Sequence, residues 1–200
     1  MASPAKLNYK IYQGSTFQEV YRWESETKIY QSITGVSKSA PCTITTEGIP
    51  ELPVGWRFRV VGAGGMKEIN NTSDSWYVAT AVDTLSNSIE INSVNSTGYS
   101  SYTSGGVVEF NTPVPLVGYT ATMQIRPEVG SDILIYSTNS TNGTIHIDTT
   151  NSTINVTIPA SITGNFSFST AVYAIELSTT DGLVIPFISG NMTLVPEIVK

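Results

Sequence analysis

Charge and thiols are what this chain of 200 residues has least of. Asp, Glu, Lys and Arg make up 13% of it, and there is one cysteine and one histidine. The lone Cys42 excludes an intrachain disulfide, and a chain this poor in thiols is expected to be made in a reducing cytoplasm. The lone His146 leaves little for metal binding or acid–base work, both of which need partner groups. No apolar run approaches the roughly 20 residues of a membrane-spanning helix, and the opening Met-Ala-Ser-Pro-Ala-Lys shows no apolar core of an export signal. The Asn-x-Ser/Thr triplets at Asn139, Asn151 and Asn165 therefore read as composition rather than glycosylation sites. No basic cluster stands out, Lys28 and Lys38 being isolated. With a net charge of −6 and a pI near 4.7, a phosphate-neutralising surface is not expected, and neither nucleic acid nor membrane is an expected partner. No long stretch repeats apolar residues at helical spacing.

What is present is β-forming. Val, Ile, Thr and Tyr dominate, and sixteen Gly and ten Pro are spread along the chain as turn residues. The stretch Gly118–Arg126 alternates without fault, with Tyr119, Ala121, Met123 and Ile125 on one face and Thr120, Thr122, Gln124 and Arg126 on the other, as in a half-buried strand. Further strands are predicted at 7–13 and 17–23. Between residues 31 and 110 the texture changes to short strands at 32–36, 42–46, 56–61, 76–82, 88–91 and 107–110, separated by Gly, Pro, Asn and Ser clusters. Thr112-Pro-Val-Pro115 reads as a stiff linker. Strands follow at 133–136, 144–147, 153–158, 171–177 and 184–195. Asn142-Gly143 predicts a tight hairpin turn, Pro159 a single helical turn, and Asp181-Gly182 the turn into the last strand. The resulting expectation is an all-β protein. Residues 1–30 plus 111–200 form one sandwich, and 31–110 form a small inserted domain.

The flanking motifs are Tyr12-Gln-Gly-Ser-Thr-Phe17 leading to Trp23, Leu116–Arg126, Ala171–Leu177 and Ile188–Glu197. In that order they resemble the immunoglobulin-like N-terminal module of tailed-bacteriophage baseplate upper proteins and related tail proteins. The inserted block carries Ile33–Ala40, Val54–Phe58, Gly65–Asn70, Tyr77-Val78 and Gly98–Gly106. It is similar to a second phage module, a small β-barrel like the one inserted in ubiquitin-activating enzymes. That module has a histidine-glycine turn where this chain has Glu47-Gly-Ile-Pro50, so no ligand site is carried over. The resemblance implies an immunoglobulin-like β-sandwich with an inserted small β-barrel. It also implies a structural component of a virion, made in the bacterial host cytoplasm, that joins other virion proteins and copies of itself in the tail, baseplate or fibre-attachment region. A capsid or neck decoration protein is the alternative within that class. A carbohydrate-binding module gripping a host surface glycan is the alternative outside it.

No catalytic, cofactor or metal residues are expected. Gly62-Ala-Gly-Gly65 looks like a phosphate loop, but a strand pattern follows it rather than a helix, so a tight turn is the better reading. His146 falls on the outer face of a strand, and Cys42 alternates with Ile44 as a buried apolar residue. The carboxylates Glu24, Glu26, Asp74, Asp83 and Glu109 match no motif for glycan cleavage. Trp56 and Trp76 are assigned to the core of the insert. Tyr99 and Tyr102, set among Ser, Thr and Gly, form the candidate contact loop, because exposed aromatic rings give much contact area for little lost entropy.

Overall fold

The computed structural model describes residues 4–72 and 74–198, and the chain divides into two compact units. The first comprises Met1–Tyr21, Leu116–Thr149 and Thr153–Lys200; the second comprises Arg22–Pro115 with Thr150–Ser152.

The first unit opens with β1 (Ala5–Lys6), β2 (Tyr9–Tyr12) and β3 (Phe17–Arg22). The second unit then takes β4 (Glu24–Val36), β5 (Cys42–Thr46), β6 (Arg57–Val61), β7 (Tyr77–Val78), β8 (Ala81–Asp83), β9 (Ser88–Ile91) and β10 (Val107–Pro113). The chain re-enters the first unit with β11 (Thr120–Arg126), β12 (Tyr136–Asn139), β13 (Ile145–Asp148), β14 (Thr153–Ile158), the one-turn helix α1 (Ala160–Thr163), β15 (Thr170–Ser178) and β16 (Val184–Val195).

The first unit is a sandwich. One sheet runs β1-β16-β15-β11-β12, with β2 also on β16, and the other runs β13-β14-β3. β1 and β2 are parallel to β16, and the β16-β15-β11-β12 pairs are antiparallel. These are the strand orders of the immunoglobulin fold, with β3, β14 and β13 as B, E and D, and β11, β12, β15 and β16 as C, C′, F and G. The second unit is threaded into the B–C connection. Alternation does what it predicts: Ala121, Met123 and Ile125 of β11 are buried, as are Ala171, Tyr173, Ile175 and Leu177 of β15. Pro159 stands at the N-cap of α1, where its missing N–H costs nothing.

The second unit is one seven-stranded sheet, β7-β6-β10-β4-β5-β9-β8, curled around Trp56, Phe58, Val60, Ile44, Ile89, Ile91, Val108 and Phe110. β4 runs unbroken for 13 residues through the expected boundary at residue 31, and its pairing with β10 continues from Val107↔Ser32 to Pro113↔Glu24.

Three expectations need correction. The strand expected at 133–136 begins at Tyr136, because Ile133 and Leu134 are exposed and lie in the β11–β12 connection. Asn142-Gly143 is not a β-hairpin, because β12 and β13 belong to different sheets. Neither residue takes the positive φ a type I′ turn requires. The Asn139 side chain instead accepts from the Thr141 and Asn142 amides, and Thr138 accepts from the Thr144 amide. The stretch 76–82 is two short strands, split where the Ala79 amide donates to Trp56 and the Thr80 amide to Glu90.

Candidate functional site

The Gly62–Gly65 segment follows β6 and leads into a single 3-10 turn at Lys67–Ile69. Its glycines serve backbone approach. Gly64 exchanges hydrogen bonds with Ser104 and Thr103, and a Cβ on Gly65, at φ +76°, would stand 2.2 Å from the Ser101 carbonyl oxygen. The segment therefore clamps the 101–106 loop. Tyr102 belongs to that loop, and its hydroxyl donates to the carbonyls of Ile33 and Gly105. The rings of Tyr99 and Tyr102 are half-buried against the core of the second unit. Tyr102 thus braces its own loop, and both tyrosines remain partly exposed.

His146 is exposed on β13, and Cys42 is fully buried in the core cluster. Trp56 is likewise buried, its Nε1 donating to the Asn111 carbonyl at 2.9 Å. Trp76 departs from expectation. It is half-buried and absent from the core cluster, with the guanidinium groups of Arg57 and Arg59 4.7 and 5.0 Å from its ring centroid. Cation–π attraction at such distances contributes about 0.5–1 kcal/mol at an exposed site.

Around Trp76 the outer face of β6, β10 and β4 carries one continuous set of side chains. Arg57 makes a two-pronged ion pair with Glu24, at 2.7 and 2.6 Å. Glu109 accepts from both Arg59 and Lys28, each at 2.5 Å. Tyr30 lies directly across from Glu109 in the β4–β10 ladder and is 58% exposed. Arg22 completes the set: burial lowers its pKa, it feels the charges of Glu24 and Arg57, and its buried Nε has no hydrogen-bond acceptor among the described residues. Four of the ten basic residues of an acidic chain are gathered here against two carboxylates. Lys28 is therefore not isolated, and Glu24 and Glu109 serve ion pairs.

Sequence reasoning missed this face because its members come from separate segments that only the sheet register brings together. The signal present was local. Arg57 and Arg59 alternate with Phe58 and Val60, which puts both arginines on the face opposite the core.

Glu109 is 7% exposed. The hydrogen bond from Lys28, and then that from Arg59, hold its carboxyl below the ordinary value of 4.5, with burial opposing. A carboxyl depressed in the folded state contributes stability that is complete above its unfolded pKa and is lost as pH falls through the folded one. Glu109→Gln is expected to destabilise the second unit by about 2 kcal/mol at neutral pH. That is below the ~3–5 kcal/mol of a fully buried pair, because Lys28 stays solvated. The deficit should shrink below pH 4.5, as first the unfolded chain and then, at lower pH, the folded parent takes up the proton. Urea titrations of both proteins at neutral and acid pH read it, and a deficit independent of pH would contradict the ion-pair account.

Among the described residues of the first unit, two depressions stand out. One, of about 570 Å³, is lined by Ile135, Tyr136, Ile162, Phe166 and Phe168 among others, with Phe166 in edge contact with Tyr136 and tilted against Phe168. The second, about 560 Å³, lies on the outer face of the six-stranded sheet. The β11–β12 connection contributes to both, through Pro127 and Ile135 to the first and Glu128, Val129 and Gly130 to the second.

No protein-family model matches the chain, and no curated protein matches it.

Proposed function

We propose that this chain is an interface-forming structural component of a tailed-bacteriophage virion, docking in the tail, baseplate or fibre-attachment region and joining neighbouring proteins. The observation that supports the interface reading is the Arg57–Trp76–Arg59 face with Tyr30 beside it. Tryptophan, tyrosine and arginine are the residues that carry most binding energy at protein interfaces. Here the two arginines and the tryptophan are fixed in advance by ion pairs and cation–π contacts, so little of their side-chain freedom remains to be lost on docking. The virion assignment rests on the ordered motifs of both blocks.

The test is made on particles. Purified virions from a producing host should contain the chain in fixed stoichiometry. A Tyr30→Ala/Trp76→Ala double variant, folded by circular dichroism, should be incorporated at least about tenfold less well, as expected when two anchor residues are truncated. A chain confined to the cell extract and missing from washed particles ends the virion reading. A double variant incorporated like the parent ends the role of this face.

A further inference from the structure

The first unit exposes two surfaces, a tip formed by two turns at one end of its six-stranded sheet and a trough on that sheet's outer face. The tip is built from two adjacent turns. In one, the Tyr119 amide donates to Leu116; in the other, the Gly182 amide donates to Thr179 and the Thr179 amide to Leu183. Gly118 lies against Thr180. The tip leaves Val117, Leu183 and Val184 exposed at 77, 59 and 50%, with Asp181 between them in sequence. Asp181 stays ionised at neutral pH, its pKa lowered by the Thr179 hydroxyl and its own backbone amide.

The trough is the second depression. Its floor is the ladder rows Gln124–Ala174–Ser189 and Arg126–Val172–Asn191. Its walls are Lys6 and the 128–130 turn, where Val129 is 89% exposed. Arg126 donates to Gln124 and to the Ser131 carbonyl, both neutral. The charged residues lining the trough are Lys6, Arg126 and Glu128, an excess of one positive charge. The tip carries one negative charge.

Tip and trough lie along one sheet. From the Ser178–Val184 pair at the tip to the Ala174–Ser189 pair in the trough is four residues of β15, roughly 13 Å of strand. A sheet held by continuous ladders cannot fold its own tip into its own trough, so the two surfaces can meet only between copies.

We propose that copies of this chain join head to tail through the first unit, the Val117/Leu183/Val184 tip of one copy seating in the trough of the next with Asp181 facing Arg126 and Lys6. The apolar side chains of the tip meet Val129 of the wall, and opposite charges fix the register. Such a contact is heterologous: each copy uses two different surfaces, and association continues until a ring closes or a filament grows. This deepens the interface reading above, on which it rests, by naming one partner and the surfaces it uses.

Sedimentation of the full chain over a wide concentration range tests it. The parent should grow past dimer. Leu183→Glu and Val129→Glu, both exposed substitutions, should each be monomeric alone, with circular dichroism and thermal midpoint like the parent. An equal mixture of the two should form a dimer and stop there, because the first variant keeps an intact trough and the second an intact tip. Asp181→Asn should weaken association about threefold to tenfold, with the difference fading in high salt as the charges are screened. A parent monomeric throughout, a mixture that stays monomeric, or a Val129→Glu variant that still dimerises by itself would each overturn the head-to-tail contact. An Asp181→Asn variant that associates like the parent would overturn the charge pairing. The measurement uses the isolated chain and the virion test uses particles, so a failure of this contact is distinguishable from a failure of the virion reading.

Discussion

A Gly190→Ala variant is expected to lose about 4 kcal/mol of stability in the first unit and to release the N-terminal strand from the six-stranded sheet. Gly190 sits inside β16, where glycine weakens a strand for want of a side chain to pack. Its reason is its neighbour: a Cβ there would stand 1.7 Å from the Leu7 carbonyl oxygen and 2.7 Å from its carbon. Those atoms are backbone, so the Leu7 segment itself must move. That segment is tied at both of its polar groups, the Leu7 amide donating to Ser189 and the Leu7 carbonyl accepting from the Tyr173 hydroxyl. Moving it breaks both bonds. It also leaves the hydroxyl of Tyr173, 3% exposed, without an acceptor, which alone costs ~1–3 kcal/mol. The forced shift adds about 1–3 kcal/mol more. Urea unfolding gives the loss, and hydrogen exchange at Leu7 and Ile11 gives the location. Parent-like protection at both amides would show that the backbone approach does not constrain this edge.

Trp56→Ala is expected to cost the second unit about 4–5 kcal/mol. Trp56 is among the largest fully buried side chains. Truncating such a residue loses its transfer free energy and leaves a cavity, together ~3–5 kcal/mol. It also strips the Asn111 carbonyl of its donor, a further cost of order 1 kcal/mol where water does not enter. Trp56→Phe separates the two effects, since it restores most of the volume and none of the hydrogen bond, and should recover about half of the loss. Thermal unfolding followed at Tyr99 and Tyr102, both packed on this core, reads the unit directly. A loss below about 1 kcal/mol would mean that this tryptophan does not organise the core.

How far the sequence could be read follows from which contacts are local. Period-two alternation is a property of one segment. It placed β5, β9, β14 and β16 at their observed limits and set Cys42 beside Ile44 inside the core. The polar half of β4 was not legible, because Glu24, Ser25, Glu26, Thr27 and Lys28 show no apolar face of their own. They are extended because β10 pairs with them and because Arg57 and Glu109 answer two of their charges from across the sheet. The place of Trp76 is hidden for the same reason: its apolar character argues for burial, and the two guanidinium groups against its ring come from another strand. Of the candidate contact loop, composition gave the exposed Ser, Thr and Gly backbone around Tyr99 and Tyr102. It could not give the carbonyls of Ile33 and Gly105 that claim the Tyr102 hydroxyl.

The parallel alignment of β2 with β16 has a mechanical consequence. A pull on the two ends of the chain drags these strands past each other, so all the bonds of that ladder are loaded together and none can open first. The second unit is joined to the rest through chain that lies between them in sequence. While the β2–β16 clasp holds, tension entering at the ends bypasses it altogether.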